Sequence, residues 1–168
     1  IRACISTAFY CPYEGKIELV DTLDVCRKFV TAGADELSVA DTIGMATPEE
    51  AHLLFSELVT EFPSTLITAH FHDTRGMALA NIYACLKAGI SRFDTSAGGL
   101  GGCPFAKGAT GNVATESVVY MLERMGISTG IDLDILMKAI DQIEPHLSRS
   151  INTPYRTLYL KEKATSQK

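Results

Sequence analysis

Segments that read as strands take turns along this chain with segments that read as helices, and that alternation leaves few architectures open. Extended stretches over 2–7, 36–40, 65–72 and 91–96 are each followed by a helical stretch, over 19–32, 47–60, 77–87 and 113–125. The punctuation agrees with this reading: Gly33 and Gly89 stop two of the helices, and Thr47-Pro48-Glu49-Glu50 is a strong helix start. Tyr10-Cys11-Pro12-Tyr13-Glu14-Gly15-Lys16 reads as a loop between the first strand and its helix. A further helix over 133–143 precedes a polar tail whose end, 161–168, is expected to fray.

A repeated strand–helix unit implies a parallel sheet. Four such units in about 125 residues are half of the roughly 250 that close an eight-stranded barrel. Four parallel strands by themselves would leave two bare edges, costly for a buried parallel sheet. An open flavodoxin-like sheet is the alternative, but the glycine turn that follows its first strand is missing here. The expected fold is therefore α/β, the last four βα units of a TIM (β/α)₈ barrel plus C-terminal helices. Residues 1–145 form the half-barrel and 146–168 a C-terminal tail or helix. Because the chain opens inside a predicted strand, residues before Ile1 are expected in the native protein, and any targeting signal with them.

The 168 residues, 46% of them hydrophobic, suffice for one globular core. A formal charge of -5 provides no basic field, which argues against nucleic acid and anionic membrane surfaces as partners. No apolar run approaches the ~20 residues that cross a bilayer. The 5 cysteines are odd in number and contain no CxxC pair, so neither a disulfide framework nor a tetrathiolate zinc site is indicated, and a reducing compartment is expected.

The strongest chemical signal is His70-Phe71-His72 at the C-terminal end of the third strand. Residues two apart on a strand share a face, so two imidazoles converge at the end of a parallel strand where such folds place their sites. Nearby predicted loops offer Asp41, Asp73, Asn112 and Glu116. Two nitrogens with several oxygens suit Mg²⁺ or Mn²⁺ better than structural zinc, with catalytic zinc left open. Cys103, in Gly101-Gly102-Cys103-Pro104, sits on a glycine-rich loop beside that site as a candidate acid or nucleophile. Asp41 ends the second strand and is expected to face the same mouth. Glu14, Lys16 and Arg75 read as solvated loop charges, and no nucleophile-elbow pattern supports a hydrolase triad.

Five blocks in this order resemble the hydroxymethylglutaryl-CoA lyase family: Cys11-Pro12-Tyr13-Glu14-Gly15-Lys16, Asp41-Thr42-Ile43-Gly44, His70-Phe71-His72-Asp73-Thr74, Gly98-Gly99-Leu100-Gly101-Gly102-Cys103-Pro104 and Gly111-Asn112-Val113-Ala114-Thr115-Glu116. Each block is weak alone; five in register are specific. The resemblance implies that His70, His72 and Asn112 hold a divalent cation, Mg²⁺ or Mn²⁺, that Cys103 is the loop acid or base, and that His70 and Asp41 take part in catalysis. Glu116, Asp73, Arg2 and Thr7 are then supporting or substrate-binding positions. The family's remaining metal-binding aspartate and its catalytic arginine lie on the first strand of the barrel, which nothing here matches. Lys107 and Ser117 depart from the family pattern at peripheral positions.

The activity so implied is cleavage of 3-hydroxy-3-methylglutaryl-CoA to acetyl-CoA and acetoacetate, in leucine degradation or ketone body metabolism. The partners would be an acyl-CoA substrate, an N-terminal half-barrel and further copies in a dimer or tetramer. The location would be cytoplasmic in a bacterium and the mitochondrial matrix in a eukaryote. These 168 residues by themselves are expected to be inactive. Two other readings compete: an acyl-CoA condensing synthase of the same superfamily, which should lack the Gly-Gly-Cys-Pro loop, and an inert fragment or assembly module.

Overall fold

The computed structural model describes residues 1–102 and 111–166. They fall into two compact units, one of Ile1–Asp94 with Gly102, Gly111 and Asn112, the other of Thr95–Gly101 with 113–166.

The first unit runs β1 (Arg2–Ile5), β2 (Tyr10–Cys11), β3 (Gly15–Lys16), α1 (Leu19–Thr31), β4 (Glu36–Asp41), α2 (Pro48–Glu61), β5 (Leu66–Phe71), α3 (Ala78–Lys87) and β6 (Phe93–Asp94). Its main sheet has the order β1-β4-β5-β6 with every pairing parallel, so each helix is the crossover between neighbouring strands. Local chemistry sets the helix ends. Thr47 accepts from the Glu50 amide at 3.3 Å while the Glu50 carboxylate accepts from the Thr47 amide at 2.9 Å, a complete capping box ahead of Pro48. Gly33, at φ 93, lets the chain leave α1 in the left-handed region.

Side-chain alternation divides the sheet into two unlike faces. Ala3, Ile5, Leu37, Val39, Ile67, Ala69 and Phe71 are buried on the helix side. There the Phe71 ring stands 6.1 Å from Phe55 of α2 and 6.4 Å from Phe9, ring separations at which aromatic pairs attract. Each large apolar side chain so buried contributes about 1.5–3 kcal/mol. The residues between them, Arg2, Glu36, Ser38, Thr68, His70 and Asp94, are polar and bond to one another across the strands.

Several boundaries differ from the sequence reading, each for a local reason. The first strand stops at Ile5 because Thr7 has a φ of 53, and its amide donates to Thr42 Oγ1 at 2.8 Å instead of to a ladder. The predicted loop 10–16 closes as an antiparallel hairpin, Tyr10 opposite Lys16 and Cys11 opposite Gly15. The last strand is only Phe93–Asp94, since the Ser96 amide donates to Val113 O at 3.1 Å.

The second unit holds a short 3₁₀ turn at Ala97–Gly99, then α4 (Thr115–Arg124), α5 (Leu133–Ile143) and α6 (Pro154–Ser166). Met137, Ile140 and Ile151 form its core, with Leu136, Leu147, Tyr155 and Tyr159 packed around them. Gly98 has φ +66, and a Cβ there would come within 2.8 Å of the Ile151 side chain. Of the C-terminal tail or helix expected over 146–168, Pro154–Ser166 is helical and carries a buried anchor. Arg156, 5% exposed, donates to Asp141, to both oxygens of Glu144 and to Ile151 O at 2.7–2.9 Å. No described helix is long and apolar enough to cross a membrane.

Candidate metal centre

The site is built at the C-terminal end of β5. His70 lies between Ala40 of β4 and Asp94 of β6 in the sheet register, which holds its backbone from both sides. Phe71 turns to the helix side, so His70 and His72 share the opposite face, their ring centroids 5.3 Å apart and inclined at 44°. Beyond the strand, His72 forms an antiparallel bridge with Asn112, and the Asp73 amide donates to Gly111 O at 3.0 Å. These two links bring the 111–112 segment alongside the histidine pair. The three residues expected to act together are thus neighbours, although Asn112 is about forty positions away in the chain.

The electrostatics favour neutral, ligand-competent imidazole. Burial, and to a lesser degree the charge of His70, pushes the pKa of His72 below the ordinary histidine value. His72 is 8% exposed, and its buried Nδ1 has no hydrogen-bond partner among the described residues. An unsatisfied buried nitrogen is costly unless something binds it. Together with a second imidazole and the Asn112 amide, this donor set fits a divalent cation. No group of three or more His, Cys, Asp or Glu side chains that could hold a metal ion converges among the described residues.

The other expected site residues have the following partners. Asp41, 1% exposed, lies opposite Phe71 in the register, and its two oxygens accept from the amides of Met45 at 3.0 Å and Ala46 at 2.9 Å. Burial raises its pKa, a shift that the three amides of the 44–46 turn oppose. It shapes the loop after β4. Asp73 accepts from the Ala78 amide at 3.0 Å and so supports the start of α3. Arg75, read from sequence as a solvated charge, donates to Ile43 O at 2.9 Å and Gly44 O at 3.2 Å, joining the loops after β4 and β5. Gly44 is required there: at φ +64 a Cβ would meet His72 O at 2.8 Å. Arg2 pairs with Asp94 and, at 3.5 Å, with Glu36. Thr7 takes part through its backbone amide. Glu116 belongs to the second unit, fully buried, its oxygens accepting from the Gly98 amide at 3.0 Å and Thr153 Oγ1 at 2.6 Å. Cys103 and Lys107 lie outside the described residues.

Sequence reasoning missed the polar ladder beside the histidines. Asp94 is approached by His70 Nδ1 at 3.5 Å, accepts from Ser38 Oγ at 2.9 Å and pairs with Arg2. Thr68 donates to Glu36 at 2.5 Å, and Arg92 lies 3.6 Å from Glu36. A signal was present: Glu36-x-Ser38, Thr68-x-His70 and Arg92-x-Asp94 repeat one polar period of two on adjacent strands.

The family model described as HMGL-like matches residues 2–143. A hydroxymethylglutaryl-CoA lyase of Bacillus subtilis (strain 168) is 45% identical over 157 residues, 94% of this chain and 52% of the relative. The crystal structure of hydroxymethylglutaryl-CoA lyase from Pseudomonas aeruginosa matches with a TM-score of 0.90 at 42% identity, over 96% of this chain and 54% of that one. The HMG-CoA lyase from Acinetobacter baumannii, solved in complex with coenzyme A and 3-methylmalate, matches with a TM-score of 0.85 at 37% identity, over 91% and 50%. The chain spans about half the length of the curated relatives it matches. Its parallel α/β sheet is thereby placed as part of a TIM barrel.

Proposed function

The chain belongs to the HMGL-like family, and from that premise we propose that the protein it comes from cleaves 3-hydroxy-3-methylglutaryl-CoA into acetyl-CoA and acetoacetate, with this chain supplying most of the metal centre. The observation that carries the reading is the same-face pair His70 and His72 bridged to Asn112, with His72 Nδ1 buried and unpartnered. The relatives' names supply the substrate class, and coenzyme A with a branched hydroxy acid in one solved relative supports it.

The reaction removes a proton from a tertiary hydroxyl, breaks the bond between the hydroxyl carbon and the carbon next to the thioester, and returns a proton to that second carbon. A Mg²⁺ or Mn²⁺ ion held by His70, His72 and Asn112 would acidify the hydroxyl and fix the substrate's carboxylate. The chain's own groups do the rest. His72, kept neutral by burial, stays available as a donor at working pH. Of the two candidate bases, His70 is on the histidine face, whereas Asp41 acts by holding the 41–46 loop against β5. Cys103, carried into this reading by sequence alone, returns the proton to carbon once water is excluded.

The test uses the full-length protein, 3-hydroxy-3-methylglutaryl-CoA and Mn²⁺, with acetoacetate release as readout. Cleavage that stops on chelation and falls by roughly 10²–10⁴ in Cys103→Ser is the expected result. Condensation of a 2-oxo acid with acetyl-CoA in place of cleavage, or cleavage indifferent to chelator, would overturn the reading.

A further inference from the structure

Asp94 belongs to no part of the chemistry described so far, yet three strands converge on one of its oxygens. Oδ2 accepts from Ser38 Oγ of β4 at 2.9 Å, pairs with the Arg2 guanidinium of β1, and is 3.5 Å from Nδ1 of His70 on β5. The register explains the convergence: Asp94 is the lateral neighbour of His70, and Ser38 and Arg2 stand on the same face of the next two strands. We propose that Asp94 is a positioning residue that holds His70 by Nδ1 and so presents Nε2 to the ligand side, with Arg2 and Ser38 fixing the carboxylate that does this.

An imidazole whose ring can spin offers either nitrogen; a carboxylate on Nδ1 selects the Nδ1–H tautomer and makes Nε2 the electron-pair donor. The selecting group must itself be held in place. The Ser38 hydroxyl and the Arg2 guanidinium come from separate strands and restrain the carboxylate from two directions. The bland alternative is that Asp94 merely neutralises Arg2. Glu36 is already placed for that, 3.5 Å from the same guanidinium and 3.6 Å from Arg92. The His70–Asp94 separation is at the outer edge of hydrogen-bond reach, as contacts of this kind often are before a ligand draws them tight.

The inference rests on the reading that His70 holds the cation, and two measurements on the full-length protein separate them. Mn²⁺ affinity, from the resonance of the free ion, should weaken about 10–100-fold in Asp94→Ala, the range usual for losing such a partner. Asp94→Asn, which keeps an acceptor for Nδ1–H, should fall between that variant and the parent. Glu36→Gln removes a carboxylate from the same ladder without touching His70, so it should leave affinity within about 2-fold even where it lowers the melting midpoint. The second measurement needs no metal: imidazole ¹⁵N shifts, with His70 assigned by His70→Gln, should show one Nδ1–H tautomer in the parent and a mixture in Asp94→Ala. Should the parent fail to bind Mn²⁺, the metal reading falls and the ¹⁵N shifts alone decide the role of Asp94. Equal losses of affinity in Asp94→Ala and Glu36→Gln, or an unchanged His70 tautomer, would overturn the proposal. If Asp94→Ala does not fold, Asp94→Asn decides by the same criteria.

Discussion

The two faces of the parallel sheet carry different burdens although they are made from the same strands. On the helix side, Leu37, Val39, Ala69 and Phe71 are essentially inaccessible and make no polar contact through their side chains. One residue away along each strand, Glu36, Ser38, Thr68, His70 and Asp94 make a cross-strand network of hydrogen bonds and ion pairs. A parallel sheet is normally covered by apolar layers on both sides. Here one side is packed with apolar side chains against the helices, and the other carries the polar ladder that includes His70. The difference teaches that a period of two lets one strand serve stability and chemistry without mixing them, because adjacent side chains cannot reach the same surroundings.

If that division holds, changes on the helix side should alter stability and leave ion binding nearly untouched. The largest effect is expected for Phe71→Ala, which removes a side chain packed against Phe9 and Phe55. The full-length protein should lose about 3–5 kcal/mol by denaturant midpoint. Mn²⁺ affinity of the protein that stays folded should change little, although Phe71 lies between the two histidines. A large loss of affinity with small loss of stability would erase the distinction between the faces.

The helix side should also be sensitive to alkali. Burial, with Glu61 adding to it, pushes the Cys26 thiol up to about 11 and raises that of Cys85 as well. A raised folded pKa means that the neutral thiol is favoured in the native state. Stability is then full below the unfolded value near 9.0 and declines as pH rises from there through the folded value. For Cys26 the loss should be on the order of 2 kcal/mol by the top of that window. Denaturant midpoints from pH 8 upward should show a steeper fall in the parent than in Cys26→Ala; parallel curves would show that burial of this thiol is not linked to folding.

The smallest of these effects concerns Thr47→Ala, which breaks the capping box at the start of α2. It should cost about 1 kcal/mol in thermal or denaturant stability, again with Mn²⁺ affinity unaltered. An unchanged melting midpoint would mean that the helix start is held by its packing rather than by its cap.

The order of strands and helices was legible because each element carries its own mark: the capping box at Thr47, the glycine stops at Gly33 and Gly89, the apolar period of two in β4 and β5. The histidine pair was legible for the same reason, since the relation between positions 70 and 72 is local to one strand. What stayed illegible was set by partners distant in the chain: nothing local announces that Arg156 will find Asp141 and Glu144, or that Arg75 will donate to the carbonyls of Ile43 and Gly44.

By itself, then, the sequence determined the element types, their alternation, the parallel sheet that follows from them, and which residues of β5 share a face. Only the tertiary structure decided which carboxylate stands beside His70, which segment bridges to His72 and which charges are consumed in loops. The physical reason is range. Propensity, capping and strand period act over a few residues and are written in contiguous sequence. The contacts of Asp94 with Arg2, Ser38 and His70 instead join positions up to 92 apart, and which groups meet is set by sheet register.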